Sequence, residues 1–202
     1  MTAPYLEAFE RSTRNGGGKG PAELVARRRE AFDRFVTGGF PTTKDEDWRF
    51  TPVAPIARTT WRLDGGAAGR RVTAGELEPF RFGQPDWCTL VFVDGRFRAE
   101  LSHRPELPRG VMVEPFAEAL SRDPAFVERS FARVARPEST AFSALNAALA
   151  QEGAVIRVAA GTDLVQPIHL LHVTTPEAAG AALQTRTILA VKQGAQIGRA
   201  HV

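Results

Sequence analysis

The last third of the chain contains a short repeat, and this repeat constrains the fold more than any other feature of the sequence. The fragments IRVAAGT (residues 156–162) and LAVKQGA (residues 189–195) look like two copies of one strand-turn unit, with their glycines 33 residues apart. Both copies lie in a segment of short apolar runs separated by glycine and proline, a pattern typical of strands. The repeat predicts the opening coils of a stacked β-solenoid, in which each coil covers the open edge of the previous one.

Two helical patterns lie near the start of the chain. The first predicted helix ends at Asn15–Gly16, and its apolar face consists of Tyr5, Leu6 and Phe9. The second has Pro21 in its first turn and ends at Gly38–Gly39. Its apolar side consists of Leu24, Val25, Phe32, Phe35 and Val36. Both faces need a surface to pack against.

The acid-rich stretch PTTKDEDWRFTP (residues 41–52) has a structural interpretation. Thr43 stands three residues before Glu46, which is the spacing of a capping box, and the acids of residues 45–47 then occupy a helical first turn, where the macrodipole favours negative charge. Two aromatic side chains are predicted to anchor this short helix: Trp48 and Phe50. A metal site is the less favoured alternative, because hard cations are usually bound by a turning loop, often with a glycine.

A β-hairpin is predicted over WCTLVFVDGRFRAELS (residues 87–102), where Asp94–Gly95 is the signal for a type I′ turn. Cys88 lies on its first arm among apolar neighbours, with no basic residue or histidine beside it in the sequence. We therefore predict a buried, inert thiol rather than a nucleophile. Because Cys88 is the only cysteine, no internal disulfide or cysteine-based metal knuckle can form.

Two more helices are predicted between the hairpin and the repeat. Asp123–Pro124 caps the first, whose apolar stripe consists of Val127, Phe131 and Val134. Ser139 or Thr140 caps the second, which ends at Gly153. The residues that point inward from this second helix are Phe142, Leu145 and Leu149.

His169 and His172 have the spacing H-x-x-H, which raises the question of a metal site. On a strand, alternate residues face opposite ways, so these two side chains lie on different faces and cannot bind one ion. We predict structural roles for both histidines. No metal, catalytic or cofactor-binding residue is predicted in this chain.

Charge and hydropathy exclude two classes of partner. The formal net charge is +3, but the densest basic run, Arg27–Arg29, is flanked by acids at helical i,i+4 spacing. The predicted pairs are Glu23 with Arg27, Arg29 with Asp33, and Glu30 with Arg34. This pattern indicates a solvated helix face and no nucleic-acid partner. No apolar run approaches the roughly 20 residues of a membrane span, and the N-terminus lacks a signal-peptide pattern, so we predict a cytoplasmic protein with no membrane partner.

Together these patterns predict an α+β protein with two parts. Residues 1–150 form a mainly helical domain with a β-hairpin near residues 88–101, and residues 151–196 begin a β-helix. The chain has no phosphate-binding loop, nucleophile elbow, dinucleotide fingerprint or zinc-protease motif. The alternative of a β-helical enzyme that acts on polysaccharide or transfers acyl groups needs polar residues along one groove. Residues 154–196 offer only scattered candidates: Arg157, Asp163, His169, His172, Glu177, Arg186 and Lys192.

Four stretches of the chain resemble the SufD family, whose members are scaffold subunits of the SUF machinery for iron-sulfur cluster assembly. The most specific is GFPTTKDEDWRFTPV (residues 39–53), which is similar to the N-terminal signature of that family. The resemblance continues in the same order through three further stretches: LVFVDGRFRAELS (residues 90–102), VIRVAAGTDLVQPIHLLHVTT (residues 155–175) and ILAVKQGAQ (residues 188–196). SufB is a paralogue, but the compact signature and the VFVDGR hairpin fit SufD better.

The resemblance implies a helical N-terminal domain, a right-handed parallel β-helix and a C-terminal helical domain. It implies SufB as a partner through the β-helix and the ATPase SufC as a partner through the C-terminal region, with an iron-sulfur cluster, and in some systems a reduced flavin, in the intact complex. It implies no enzymatic activity for the subunit itself. The cluster-related histidine and the SufC-binding surface of the family match no position in this chain, so no site residue is transferred.

Family members are about twice as long as this chain, so we expect it to be a truncated N-terminal half. The last six residues, IGRAHV, match one reading frame of a common sequencing-library adapter. We hypothesise that residues 197–202 are adapter read-through rather than native sequence. A nonfunctional truncated product is a further alternative, which applies if the open end of the solenoid cannot be capped.

Overall fold

The computed structural model describes residues 3–14, 20–63, 71–82 and 86–198. In these ranges the helices are α1 (Ala3–Ser12), α2 (Ala22–Gly38), α3 (Ala54–Arg58), α4 (Ala74–Leu77), α5 (Phe116–Arg122), α6 (Pro124–Ser130) and α7 (Ala141–Leu149). The strands are β1 (Cys88–Val93), β2 (Arg96–Phe97), β3 (Val111–Pro115), β4 (Ala154–Val158), β5 (Asp163–Leu164), β6 (Ile168–Val173), β7 (Ile188–Val191) and β8 (Gln196–Ile197). The predicted α+β class is confirmed.

Helices α1, α2 and α7 form a helical core with the segment around α5 and α6. Phe9 of α1 stacks on Phe32 of α2 at a centroid distance of 4.4 Å, and Tyr5 meets Phe35 edge to face at 5.1 Å. Leu145 of α7 is buried in the same cluster. The apolar faces of α1 and α2 therefore pack on each other and on α7, as their patterns predict.

The apolar faces predicted for α1 and α2 each include one residue that is exposed in the structure. Leu6 and Val36 are exposed, although both were expected to face inward. The buried stripe of α2 instead runs through Leu24, Arg28, Ala31, Phe32 and Phe35, which lie one, three or four residues apart and so share one helix face. The predicted end of the first helix, Asn15–Gly16, lies outside the described residues.

The basic run of α2 was predicted to lie on a solvated helix face, and for Arg28 this prediction is wrong. The pairs Glu23 with Arg27 and Glu30 with Arg34 form at 3.1 and 3.2 Å. Arg29 instead lies 4.9 Å from the centre of the Phe9 ring. Arg28 is buried because it lies on the apolar stripe, four residues after Leu24 and four before Phe32.

The guanidinium groups of Arg28 and Arg186 both lie over the ring of Phe131. Their guanidinium carbons lie 5.1 and 4.9 Å from its centroid. Arg28 Nη1 donates to the Ala148 carbonyl at the end of α7, where a cation complements the helix dipole. Burial, together with the charge of Arg186, lowers the pKa of Arg28 to about 10, so it stays charged at neutral pH. This cluster joins α2, α7 and the strand-rich end of the chain.

The stretch 41–52 forms a cap one residue earlier than predicted. Asp45 Oδ2 accepts hydrogen bonds from Thr42 N at 2.7 Å and Thr42 Oγ1 at 3.0 Å, so the predicted pair of Thr43 and Glu46 is wrong. Only a single 3₁₀ turn follows, over Glu46–Trp48. The capping box forms instead at Thr73, where Glu76 Oε2 accepts from the backbone N and Oγ1 at 2.9 Å.

Of the two aromatic anchors predicted for this stretch, one is correct. Trp48 is half-buried and lies 5.4 Å from the Phe142 ring. Phe50 is 89% exposed, because the turn ends before its side chain can reach the core. Phe40, at the start of the signature stretch, contacts the rings of Tyr5, Phe35 and Phe142. The stretch therefore packs against the helical core.

Helices α6 and α7 begin where their caps predict. Asp123 Oδ1 accepts from Phe126 N at 3.1 Å, and Thr140 Oγ1 accepts from Ser143 N at 2.9 Å. Val127 and Phe131 are buried as predicted, but Val134 is 92% exposed. The helix ends at Ser130 and Ala132 has a positive φ of 56°, so the helical period no longer applies at Val134.

The strands form three small sheets, two of them mixed. The predicted hairpin is confirmed: β1 and β2 pair antiparallel around Asp94 and Gly95, which have φ of 50° and 76°. In addition, β1 pairs parallel with β6, and β4 lies between antiparallel β3 and parallel β7. Strands β5 and β8 pair parallel.

Both larger sheets combine strands from either side of residue 150. The division into 1–150 and 151–196 therefore stays a prediction. The β-helix also stays a prediction, because the described residues contain only two copies of the repeated strands, β4 with β5 and β7 with β8. Strand β8 extends to Ile197, and residues 199–202 lie outside the described ranges. The adapter hypothesis for residues 197–202 also stays a prediction.

Phe131→Ala should destabilise the protein by about 3–5 kcal/mol, because it opens a cavity beside two buried guanidinium groups. Val134→Ala, at a position with the same predicted orientation, should change the free energy of unfolding by less than about 0.5 kcal/mol. Urea unfolding of both variants measures the difference. Equal destabilisation by the two changes would contradict the described end of α6.

Candidate protein-interaction surface

The sequence repeat corresponds to a repeat of strands in space. Val155 of β4 lies opposite Ile188 of β7, and Asp163 of β5 lies opposite Gln196 of β8, so both parallel pairs have an offset of 33 residues. A single bridge between Glu152 and Thr185 has the same offset. The two copies of the strand-turn unit therefore pair in register. We call β4 with β5 the first level and β7 with β8 the second level.

The turns of the two levels also stack. Gly161 N donates to the Gln193 carbonyl at 3.2 Å, and Gly194 lies directly against Gly161. At Gly153 the levels approach so closely that any side chain would overlap the backbone carbonyl of Arg186. The φ of Gly153 is +136°, which glycine adopts without strain. Glycine is therefore required at this contact between levels.

Strands β1, β3 and β4 enclose an apolar cluster between the two larger sheets, which we call the inter-sheet core. Its buried members are Cys88, Leu90, Phe92, Val113, Ala154, Ile156 and Val158. Leu164, Ile168 and Leu170 pack against it. Side chains of these strands thus fill the space between the two sheets, and alternate residues of each strand point inward.

The second level repeats this inward pattern without being covered. Leu189 lies opposite Ile156, Val191 opposite Val158, and Ile197 opposite Leu164. Because paired residues of a parallel sheet share a face, these three side chains continue the inter-sheet core. They are nevertheless 53%, 40% and 39% exposed. We call Leu189, Val191 and Ile197 the open layer.

The backbone beside the open layer is also available for pairing. Within the described residues, β7 pairs only with β4 and β8 only with β5, so each is an edge strand. An edge strand with exposed apolar side chains recruits further strands. The open layer is therefore a surface that is suited to contact with more polypeptide.

The two histidines of the H-x-x-H motif lie on opposite faces of β6, as predicted. His172 stacks on Phe92 at 4.7 Å, toward the inter-sheet core, while His169 contacts the rings of Phe82 and Trp87 at 5.4 and 6.5 Å. Burial lowers the pKa of both imidazoles, and the positive charge of Arg81 lowers that of His169 further. Both side chains are packed against aromatic rings and do not converge on one point.

Cys88 is fully buried in the inter-sheet core, as predicted. Burial raises the pKa of its thiol, and the charge of Arg104 offsets this only in part. The described ranges contain no group of three or more histidine, cysteine or acidic residues that could hold a metal ion. None of the helices in those ranges is long and apolar enough to cross a bilayer.

The polar residues that an enzyme of the alternative class would need are engaged in different places. Arg157 pairs with Asp123 at 2.8 Å, where the Phe126 N–H and then Arg157 lower the pKa of that carboxyl. Arg186 Nη1 donates to Asn146 Oδ1 at 3.0 Å in the helical core. His172 is exposed and stacks on the ring of Phe92. These residues form no common groove.

Comparison with known proteins places this chain near one family. Residues 1–170 match the model for the SufBD protein N-terminal region. The chain is also similar to an iron-sulfur cluster assembly SufBD family protein of Synechocystis, with 27% identity over 175 residues. That alignment covers 86% of this chain and 38% of the relative, so the chain spans well under half of the length of that relative.

Cys88 in the folded protein should react with a thiol-specific disulfide reagent at least about a hundredfold more slowly than in the urea-unfolded chain, because the buried strand must open first. The raised thiol pKa acts in the same direction, since it lowers the thiolate fraction at neutral pH. Absorbance of the released chromophore measures both rates. Equal rates in the folded and unfolded states would contradict an inert buried thiol.

Proposed function

This chain belongs to the SufBD family, and we propose that it acts as a scaffold subunit in iron-sulfur cluster assembly. The observation that carries the proposal is the pair of stacked strand levels that ends in the open layer. Such an arrangement offers backbone edges and apolar side chains to other polypeptide. It supports binding and assembly, and we propose no enzymatic activity for this chain.

Within the family, we assign the chain to the SufD type. The basis is the resemblance of residues 39–53 and of the VFVDGR hairpin to SufD sequences. In the structure the hairpin turn is tied to the strand-rich end, because the buried Asp94 carboxylate accepts hydrogen bonds from Thr175 N at 2.7 Å and Thr175 Oγ1 at 2.8 Å. The turn thereby contributes to the contact between β1 and β6.

The open layer has one proposed occupant in a longer form of the protein, namely a further coil of the same chain. The constant offset of 33 residues supports this, because another coil of similar length would place its strands directly above Leu189, Val191 and Ile197. The curated relative offers ample additional length. On this proposal the two levels are the beginning of a parallel β-helix and the present chain is its N-terminal part.

The proposed partners are a SufB-like subunit, bound through the β-helix, and a SufC-like ATPase, bound through a C-terminal region. The iron-sulfur cluster is cargo of the complex. No residue of this chain is proposed as a cluster ligand or flavin contact, since none matches the family positions for those roles. The β-helical enzyme remains the less favoured alternative, because Arg157, His172 and Arg186 are engaged in separate places.

The isolated 202-residue chain should form dimers or larger species through the open layer. Leu189→Lys with Val191→Lys should shift it to monomer, because charged side chains on an edge strand prevent pairing. Light scattering with size-exclusion chromatography measures the change. Val165→Lys is the matched control, since Val165 is 80% exposed but lies outside the open layer. A monodisperse wild-type monomer would contradict the proposed role of the layer.

Co-expression with the SufB-like and SufC-like proteins of the same genome tests the function itself. A full-length reading frame that includes this chain should retain both partners and load iron under anaerobic conditions. The 202-residue chain should retain SufC weakly or not at all, because it lacks the proposed contact region. Tight SufC binding by residues 1–196, or no partner retained by the full-length protein, would overturn the assignment.

A further inference from the structure

A largely apolar cavity of about 370 Å³ lies between α1, the end of α2 and α3. Both ends of the stretch 39–53, which resembles the family signature, form part of its walls, through residues 39–43 and 52–53. The volume is within the usual range of small-molecule sites. No residue of the open layer lines this cavity.

Local contacts hold both ends of this stretch in place. Gly39 follows α2 with a φ of 66°, which glycine adopts without strain. Thr42 is fixed by its two hydrogen bonds to the Asp45 carboxylate. At the other end Val53 is buried, and its carbonyl accepts from Ala57 N at 3.0 Å. These walls are therefore formed without a ligand, which lowers the entropic cost of binding one.

Three aromatic rings form one apolar wall. The ring of Tyr5 lies 5.1 Å from that of Phe35 and 5.8 Å from that of Phe40, and the rings of Phe35 and Phe40 lie 5.1 Å apart. Each pair meets edge to face, so the rings hold one another in position. Such a wall favours an aromatic ligand, because water in an apolar cavity finds few hydrogen-bond partners and is readily displaced.

Helix α3 presents one face to the cavity. Ala54, Ala57 and Arg58 line it from the i, i+3 and i+4 positions, which share a side of the helix. The two alanine methyl groups are small and leave the space between α3 and the rings open. Arg58 is exposed, so its guanidinium group lies at the opening of the cavity.

The charge of Arg58 indicates the class of ligand. Among the residues that the structure describes, Arg58 has no ion-pair partner. The forked donors of arginine match the paired oxygens of a carboxylate. Burial raises the pKa of the Tyr5 hydroxyl, so this group stays neutral at physiological pH and does not oppose an anion. A ligand with an aromatic body and a carboxylate uses both the apolar walls and the cationic opening.

We propose that this cavity binds a small aromatic carboxylate, whose ring system contacts Tyr5, Phe35 and Phe40 and whose carboxylate pairs with Arg58. The site does not depend on the scaffold role, since it uses neither the open layer nor a partner subunit. On this proposal the stretch 39–53 forms a ligand site in addition to its packing on the helical core.

Isothermal titration calorimetry of the 202-residue chain tests the proposal with two probes of similar size, 2-naphthoate and the neutral 2-naphthylmethanol. Naphthoate should bind with a dissociation constant below about 1 mM. The alcohol should bind about fivefold or more weakly, because it cannot form the charge-assisted hydrogen bonds. Arg58→Gln should lower the affinity for naphthoate to that for the alcohol and leave the affinity for the alcohol unchanged.

Two further variants test the position of the site. Ala57→Leu, and Ala54→Leu at an exposed position of the same helix face, should each weaken binding of both probes about tenfold or more, because the larger side chain occupies the cavity. Circular dichroism checks that each variant is folded. Normal binding of both probes by the folded alanine variants would place the ligand elsewhere and overturn the proposal.

Arg49→Gln is the matched control, because Arg49 is an exposed arginine of the same stretch that lies over the ring of Phe50 and does not line the cavity. It should leave the affinity for both probes unchanged. The proposal fails if naphthoate does not bind, if the alcohol binds equally tightly, or if Arg49→Gln weakens naphthoate binding as much as Arg58→Gln.

Discussion

Strand β4 is the element on which both cores depend. Val155 points into the helical core, while Ile156 and Val158 point into the inter-sheet core. Both backbone edges of β4 are paired, antiparallel with β3 and parallel with β7. A slip of one residue would exchange every side chain between the two cores, so its register is strongly specified. The in-register stacking of the second level follows from this fixed first level.

Local signals in the sequence were sufficient for three elements with local stabilising contacts, although the local capping box predicted for Thr43 and Glu46 does not form. The caps at Asp123 and Thr140 and the turn at Asp94–Gly95 form as predicted, because each depends on neighbouring residues. The prediction was wrong where contacts with distant parts of the chain determine whether a side chain is buried. Arg28 is charged yet buried, because Phe131 and the end of α7 offer it a ring face and a carbonyl. The spacing of Arg28 from Leu24 and Phe32 places it on the apolar stripe, but nothing near it in the sequence indicates the distant ring and carbonyl that it contacts.

The sequence predicted the kind of surface that the chain offers, but it did not predict all of the strand pairing. The repeat of residues 156–162 in 189–195 indicated stacked strands, and the parallel pairing at the same interval bears this out. Nothing in the sequence marked the parallel pairing of β1 with β6, whose residues are 80 positions apart.

The close contact at Gly153 has a consequence for genetics. A missense change there would force the two levels apart beneath the Arg186 carbonyl and disturb both apolar clusters at once. In a complementation screen such an allele would score as a complete loss, although the residue offers no chemical group to any partner. Saturation mutagenesis would then rank Gly153 above many residues that do contact a partner. A parallel measurement of protein abundance would separate loss of folding from loss of partner binding.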